Sequence, residues 1–338
     1  MQTPWNKVLA PGVVPPVELL PFLKYTPKYF APWKTYCEKA RELQRRLFFG
    51  LVHETKEQVA QGRGNGCFIE QVLARQNELN MSDEQLGYLG GALIEGGGGT
   101  SASWIKSLIL AMVTCPDAQR KAQEELDMVV GKDRMPVYED LPNLPYIQAV
   151  IKEVHRWRPT APLAVPHATI EEVNYAGSRI PPGTTIFINT WGMCRDPDVY
   201  ERPENFWPDR WVQQEFGAKI SVNHLEMNPP WFGSGRRGCP GVYLANNTIA
   251  LNTTHLLWAF DFAPEDNPKT GRPIEIDLFA FAEGPELCPD AFPCTITPRS
   301  AQHAEIIKQE FASARTFLQQ YEHGLGLEGE ECVDSRRI

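Results

Sequence analysis

Apolar side chains keep to a spacing of three and four along most of this chain and alternate only briefly. From 34 to 59, Leu43, Leu47, Phe48, Leu51 and Val52 fall on one helical face. A helix is expected there, ended by the glycine-broken stretch from Gln61 to Gly66. A second helix is expected over 67–79. Ser82 with Gln85 three positions on has the form of a capping box, opening a long helix over 83–114 that Cys115 and Pro116 stop. Further helices are expected at about 117–130, at 145–156 after the proline-punctuated loop from Asp140 to Pro145, and at about 240–258, with a polar one near the C-terminus.

Between 164 and 190 the period shifts toward two: Val173 to Tyr175, Ile180, then Thr184 to Ile188, with Pro181 to Gly183 as the turn signal. Short strands are expected toward Thr295 to Thr297. Residues 4–33, rich in proline and aromatics, are expected to be irregular but buried, and 197–231 reads as a proline-rich meander. The pattern predicts a mainly α fold with a small β component, one domain over 1–338 with no repeat and no clear linker.

Composition narrows the function. With 338 residues, 42% of them hydrophobic, the chain can bury a sizeable core. A net charge of −9 argues against nucleic acid or an anionic membrane surface as partner. The eight cysteines, at 37, 67, 115, 194, 239, 288, 294 and 332, form no CxxC pair, which argues against structural zinc and for a reducing compartment. No apolar run of membrane-spanning length and no secretory leader is present, so the chain itself is expected in the cytoplasm. Two N-x-T sequons, at Asn246 and Asn252, fall within a helical pattern and are read as chance.

The chemistry concentrates in Phe232 to Gly241, where glycines at 233, 235, 238 and 241 let the backbone approach a large flat object. Pro240 suits the first position of a helix, so Cys239 falls at a helix start, where free N–H groups and the dipole favour a thiolate. Arg236 and Arg237 add positive charge suited to a carboxylate-bearing ligand. A glycine-rich turn around a buried structural cysteine is the plainer alternative for the Cys-Pro-Gly triplet alone. Glu153 and Arg156 lie one helical turn apart, and Arg210 follows at the meander. In Leu93 to Ser101, four consecutive glycines, Gly96 to Gly99, cost a helix about 1 kcal/mol each relative to alanine, and a local opening of the helix against a ligand is expected there.

Phe232, Gly235, Arg237, Cys239 and Gly241 match the haem-binding pattern F-x-x-G-x-R-x-C-x-G, and on this the chain resembles the cytochrome P450 superfamily, in texture its fungal microsomal branch. The resemblance implies haem b, with Cys239 as axial ligand to its iron, and Phe232, Gly241, Arg237 and His167 as cofactor-binding residues, the last two toward the propionates. It implies a structural triad of Glu153, Arg156 and Arg210. Gly96 to Ser101 would be the oxygen-activation segment, with Thr100 and Ser101 as catalytic hydroxyls, Thr100 holding dioxygen and passing protons to it. The sequence departs from the family at Gly99, usually an acidic residue, and Glu95 one turn earlier is a substitute that acts through water.

The implied fold is the C-terminal two-thirds of the cytochrome P450 fold, a single incomplete domain over 1–338. Its parts are the long helix 83–114, the Glu-x-x-Arg helix 145–156, the meander 197–231 and the thiolate loop 232–241. The family's anchor, early strands and W-x-x-x-R helix have no counterpart here. The implied function is monooxygenation: one atom of O₂ enters an apolar small molecule in secondary or xenobiotic metabolism, with electrons from NADPH through NADPH-cytochrome P450 reductase. Implied substrate contacts are 91–101, Thr160 to Val165 and the loop from Phe279 to Phe292. Kinship places complete members on the cytosolic face of the endoplasmic reticulum. Two other readings remain: a haem-thiolate isomerase or dehydratase without O₂ activation, suggested by Gly99, and a silent remnant that binds haem weakly.

Overall fold

The computed structural model describes residues 8, 12–17, 20–212 and 230–319. Helix α1, Pro32–Ala60, and α2, Phe68–Ala74, lie against the first half of α3, Asp83–Thr114. Glycines on α3 permit this closeness: a Cβ at Gly91 would stand 2.2 Å from the Phe48 ring, one at Gly87 3.0 Å from Phe49, and one at Gly90 2.9 Å from Ile69. The capping box at the start of α3 is made in both directions, Gln85 N–H to Ser82 Oγ at 3.2 Å and Ser82 N–H to Gln85 Oε1 at 2.8 Å.

The main core forms where the second half of α3 meets α4, Pro116–Val129, α5, Pro145–Trp157, and α7, Val242–Ala259; α6, Thr190–Met193, is a single turn between. On α5, Ile147, Val150, Val154 and Trp157 repeat every three or four residues and are buried, so the amphipathic pattern turns that face inward. Glu125 of α4 accepts from the N–H groups of Tyr146 and Ile147 at 2.8 and 2.9 Å, satisfying donors that Pro145 leaves open at the helix start.

Among the described residues the strands form three two-stranded antiparallel pairs. β1, His167–Ala168, pairs with β4, Thr185–Ile186; β2, Val173–Tyr175, pairs with β3, Ser178–Ile180; and β5, Phe260–Pro264, pairs with β6, Cys294–Pro298. Gln119 brackets Phe262, donating to its carbonyl at 2.9 Å and accepting from its N–H at 2.7 Å, which locks the third pair onto the core. Helix α8, Ala301–Leu318, is capped by Ser300, whose Oγ accepts from His303 N–H at 3.3 Å.

Several expectations need correction. The aromatics before α1 are not buried: Tyr25 and Tyr29 are 87% and 89% exposed, and Phe22 and Phe30 are also exposed. Their spacing gives two single-turn 3₁₀ helices, Pro21–Tyr25 and Lys28–Phe30, too short to cover an apolar face. The second helix ends at Ala74, and the expected strand at 184–188 keeps only Thr185 and Ile186. Of the meander, 213–229 lies outside the described residues.

Candidate active site

Cys239 stands at the entry to α7. Its N–H donates to Phe232 O at 2.8 Å, closing the loop into a tight turn, and its side chain is exposed. Gly235, at φ +63, supplies a left-handed turn that a side chain would strain. The helix begins at Val242 with Gly241 as N-cap, and among the described residues no side chain caps its positive dipole end. Arg236 and Arg237, three and two residues before the cysteine, are exposed.

The loop is mounted on aromatic packing. Trp231 stacks on His155 of α5 with ring centroids 5.2 Å apart, and Phe232 meets the same imidazole edge-on at 5.3 Å. Trp104 of α3 closes the far side at 5.4 Å. Burial alone depresses His155 to a pKa of about 3, so it is neutral and acts as an aromatic wedge. The one signal of this role in the sequence is the position of His155 between Glu153 and Arg156.

Behind it, Glu153 is fully buried and holds five donors. Arg156 reaches it through Nε at 2.9 Å and Nη2 at 2.8 Å, and Arg210 through Nε at 3.1 Å. The Trp207 N–H and the Trp211 Nε1–H complete the shell at 2.8 and 2.9 Å. Arg156 spends its remaining donors on the carbonyls of Cys194, Pro203 and Asn205, between 2.7 and 2.9 Å. One carboxylate thereby ties α5 to 194–211, the segment upstream of the cysteine loop.

Helix α3 runs unbroken through Gly96 to Gly99, so the expected opening is absent. A Cβ at Gly96, Gly97 or Gly98 would meet nothing within 4 Å, which leaves that stretch bare on an open face. The Thr100 hydroxyl donates to Gly96 O at 2.6 Å, the ordinary bond back to the preceding turn. Ser101 is half-buried next to it. Glu95 is engaged by α1: both its oxygens accept from Gln44, at 2.9 and 3.2 Å, which ties the carboxylate into the packing between α1 and α3.

His167 is exposed at the start of β1, paired across the strand with Ile186. Two cavities lie along α3, the first apolar and the second lined in part by Glu275, Asp277 and Asp290. One, of about 220 Å³, lies between α1, α2 and α3 and includes Leu93 and Ile94; the other, of about 140 Å³, includes Leu110 and residues of the loop before β6. Among the described residues no cluster of His, Cys, Asp or Glu could hold a bare metal ion, and no helix is long and apolar enough to cross a membrane.

A profile described as Cytochrome P450 matches residues 5–285. A cytochrome P450 monooxygenase of Armillaria gallica is 38% identical over 326 residues, covering 95% of this chain and 61% of that protein. One of Aspergillus niger is 35% identical over 331 residues, covering 94% and 61%. A zebra fish cytochrome P450 solved with progesterone superposes at a TM-score of 0.68 and 24% identity over 88% of this chain and 64% of its own, a likeness of fold. The chain spans about three fifths of the length of these fungal relatives. A match over most of its residues, at this identity, means that the chain belongs to the cytochrome P450 family.

Proposed function

We propose that this chain is the C-terminal part of a haem-thiolate monooxygenase, in which Cys239 would hold the iron of haem b. The observation that carries the reading is the free, exposed Cys239 thiol at the uncapped start of α7, on a glycine loop held by buried aromatics. These residues fit the group. The thiol is a soft donor with no partner among the described residues, Gly238 and Gly241 add no bulk at the loop, and Arg237 and His167 offer exposed donors for carboxylates. When bound, haem supplies the oxygen-activating redox chemistry, with thiolate ligation favouring O–O cleavage.

This chain's own residues do the rest. The Glu153, Arg156 and Arg210 network fixes the approach to the cysteine loop, so the thiol is presented in one orientation. Thr100 holds a proton at its hydroxyl and, by releasing Gly96 O, can turn it toward the open face. Substrate is an apolar small molecule, and NADPH-cytochrome P450 reductase is the electron source, on the cytosolic face of the endoplasmic reticulum. The fungal relatives' names support monooxygenation.

Reconstitution with haem and the spectrum of the reduced carbon monoxide complex test this. A thiolate-type Soret band lost in Cys239→Ala supports the reading; a band unaffected by that change sinks it. Gly99, without a carboxyl of its own, favours a second reading as a haem-thiolate isomerase or dehydratase. Turnover independent of NADPH and reductase would select it.

A further inference from the structure

The loop before β6 folds back on itself as a hairpin. Ala282 N–H donates to Cys288 O at 2.9 Å, Asp290 N–H to Ala280 O at 3.1 Å, and Leu287 N–H reaches Thr160 O at 2.8 Å. Its tip brings Glu286 onto α3, where the carboxylate accepts from the buried Ser103 hydroxyl at 3.3 Å. A Cβ at Gly99 would stand 3.2 Å from Glu286 Oε2 and 3.3 Å from Oε1, tighter than ordinary contact. Of the four glycines in that run, Gly99 alone has its missing side chain's place taken by another group among the described residues.

We propose that Glu286 is the proton-holding carboxyl of the Gly99 to Ser103 turn, docked there because Gly99 leaves room, and that it acts through Ser103 and Thr100 as a positioning residue. Gly99 and Ser103 are four apart and Thr100 and Ser103 three apart, so all three share one side of α3. Among the described residues no cation pairs with Glu286. Lys106, one turn further on, reaches Cys288 Sγ at 3.7 Å instead. Burial without a counter-charge raises the carboxyl above the ordinary glutamate range, the Ser103 bond opposing it, so the neutral acid persists to higher pH and can donate. The step is proton transfer alone: the carboxyl O–H bond breaks, Ser103 and Thr100 each take up a proton while giving up their own, the last proton goes to dioxygen as it is reduced, and solvent reprotonates the carboxylate. Its use in turnover rests on the monooxygenase reading; the docked, protonated carboxyl does not.

Carboxyl titration of the ¹³C-glutamate-labelled chain, followed by NMR, decides the first part with or without haem. One carboxyl titrating above the ordinary range, absent in Glu286→Gln and moved higher in Ser103→Ala, is the expected result. A wild-type curve with no such carboxyl, or one that survives Glu286→Gln, overturns the proposal. In chain reconstituted with haem and reductase and showing the thiolate spectrum, Glu286→Gln should slow NADPH oxidation by about a hundredfold. It should also enlarge the solvent isotope effect, while Glu286→Asp retains part of the rate with a shifted pH profile and Gly99→Asp in the Glu286→Gln background recovers it. Unchanged oxidation in Glu286→Gln overturns it, whereas an absent thiolate spectrum with the raised carboxyl intact sinks the haem reading alone.

Discussion

The His155 imidazole lies flat against the Trp231 indole, the planes 5° from parallel. Because His155 sits on α5 between Glu153 and Arg156, one helix both neutralises the buried charge network and props the cysteine loop. Damage to either should be felt at Cys239.

This stack predicts an acid-sensitive fold. The unfolded chain takes up a proton at His155 below its ordinary pKa of 6.5, while the folded chain refuses it down to about 3. The unfolded state therefore binds more protons in that window, and stability falls as pH drops through it, by about 2 kcal/mol between pH 7 and 5. Urea unfolding at the two pH values should show that loss in the wild type and its absence in His155→Phe. An equal slope in both proteins would rule His155 out as the cause.

Glu153→Gln should be far more severe. It leaves Arg156 and Arg210 buried with no counter-charge, a change that costs about 3–5 kcal/mol. Arg156→Lys should approach the same loss, since an ammonium cannot serve Glu153 and three carbonyls at once. Denaturant midpoints for the two variants check this, and a Glu153→Gln protein within about 1 kcal/mol of wild type would refute it.

What could be read from the sequence was local, and what could not was distant. The Ser82 and Gln85 cap, the ends of the long helix and the Cys239 turn depend on neighbours a few positions away, so their residue types disclose them. The exposure of Tyr25 and Tyr29 escaped because composition says how apolar a stretch is and not what covers it. The helix stays closed at Gly96 to Gly99 because its two ends are held, by Phe48 against Gly91 and by the buried Trp104, and that packing outweighs glycine's low propensity. Glu95 turned to Gln44, and Glu286 came to Ser103 from 183 positions away; no spacing rule reaches that far.

The same glycines give a paired test. Gly91→Ala drives a methyl to within 2.2 Å of the Phe48 ring and should destabilise the chain by about 1–3 kcal/mol. Gly97→Ala meets nothing and should stabilise it by about 0.5–1 kcal/mol. Thermal unfolding of both proteins without haem checks the signs. If haem retention falls in Gly97→Ala while stability rises, the bare stretch is kept for a ligand's approach rather than for packing.

The last prediction concerns association. Tyr243 and Leu244, in the first turn of α7, are 83% and 72% exposed, and Leu93 and Ile94 on α3 are about half exposed. Large apolar groups left open in this way drive contact between molecules, since removing their surface from water is favourable by about 25 cal/mol per Å². The chain should therefore self-associate as its concentration rises, and Tyr243→Lys with Leu244→Lys should shift it toward monomer. Sedimentation velocity over a concentration series reads this directly. A chain that stays monomeric throughout, or a double variant that associates as strongly as the wild type, would show that these side chains do not drive it.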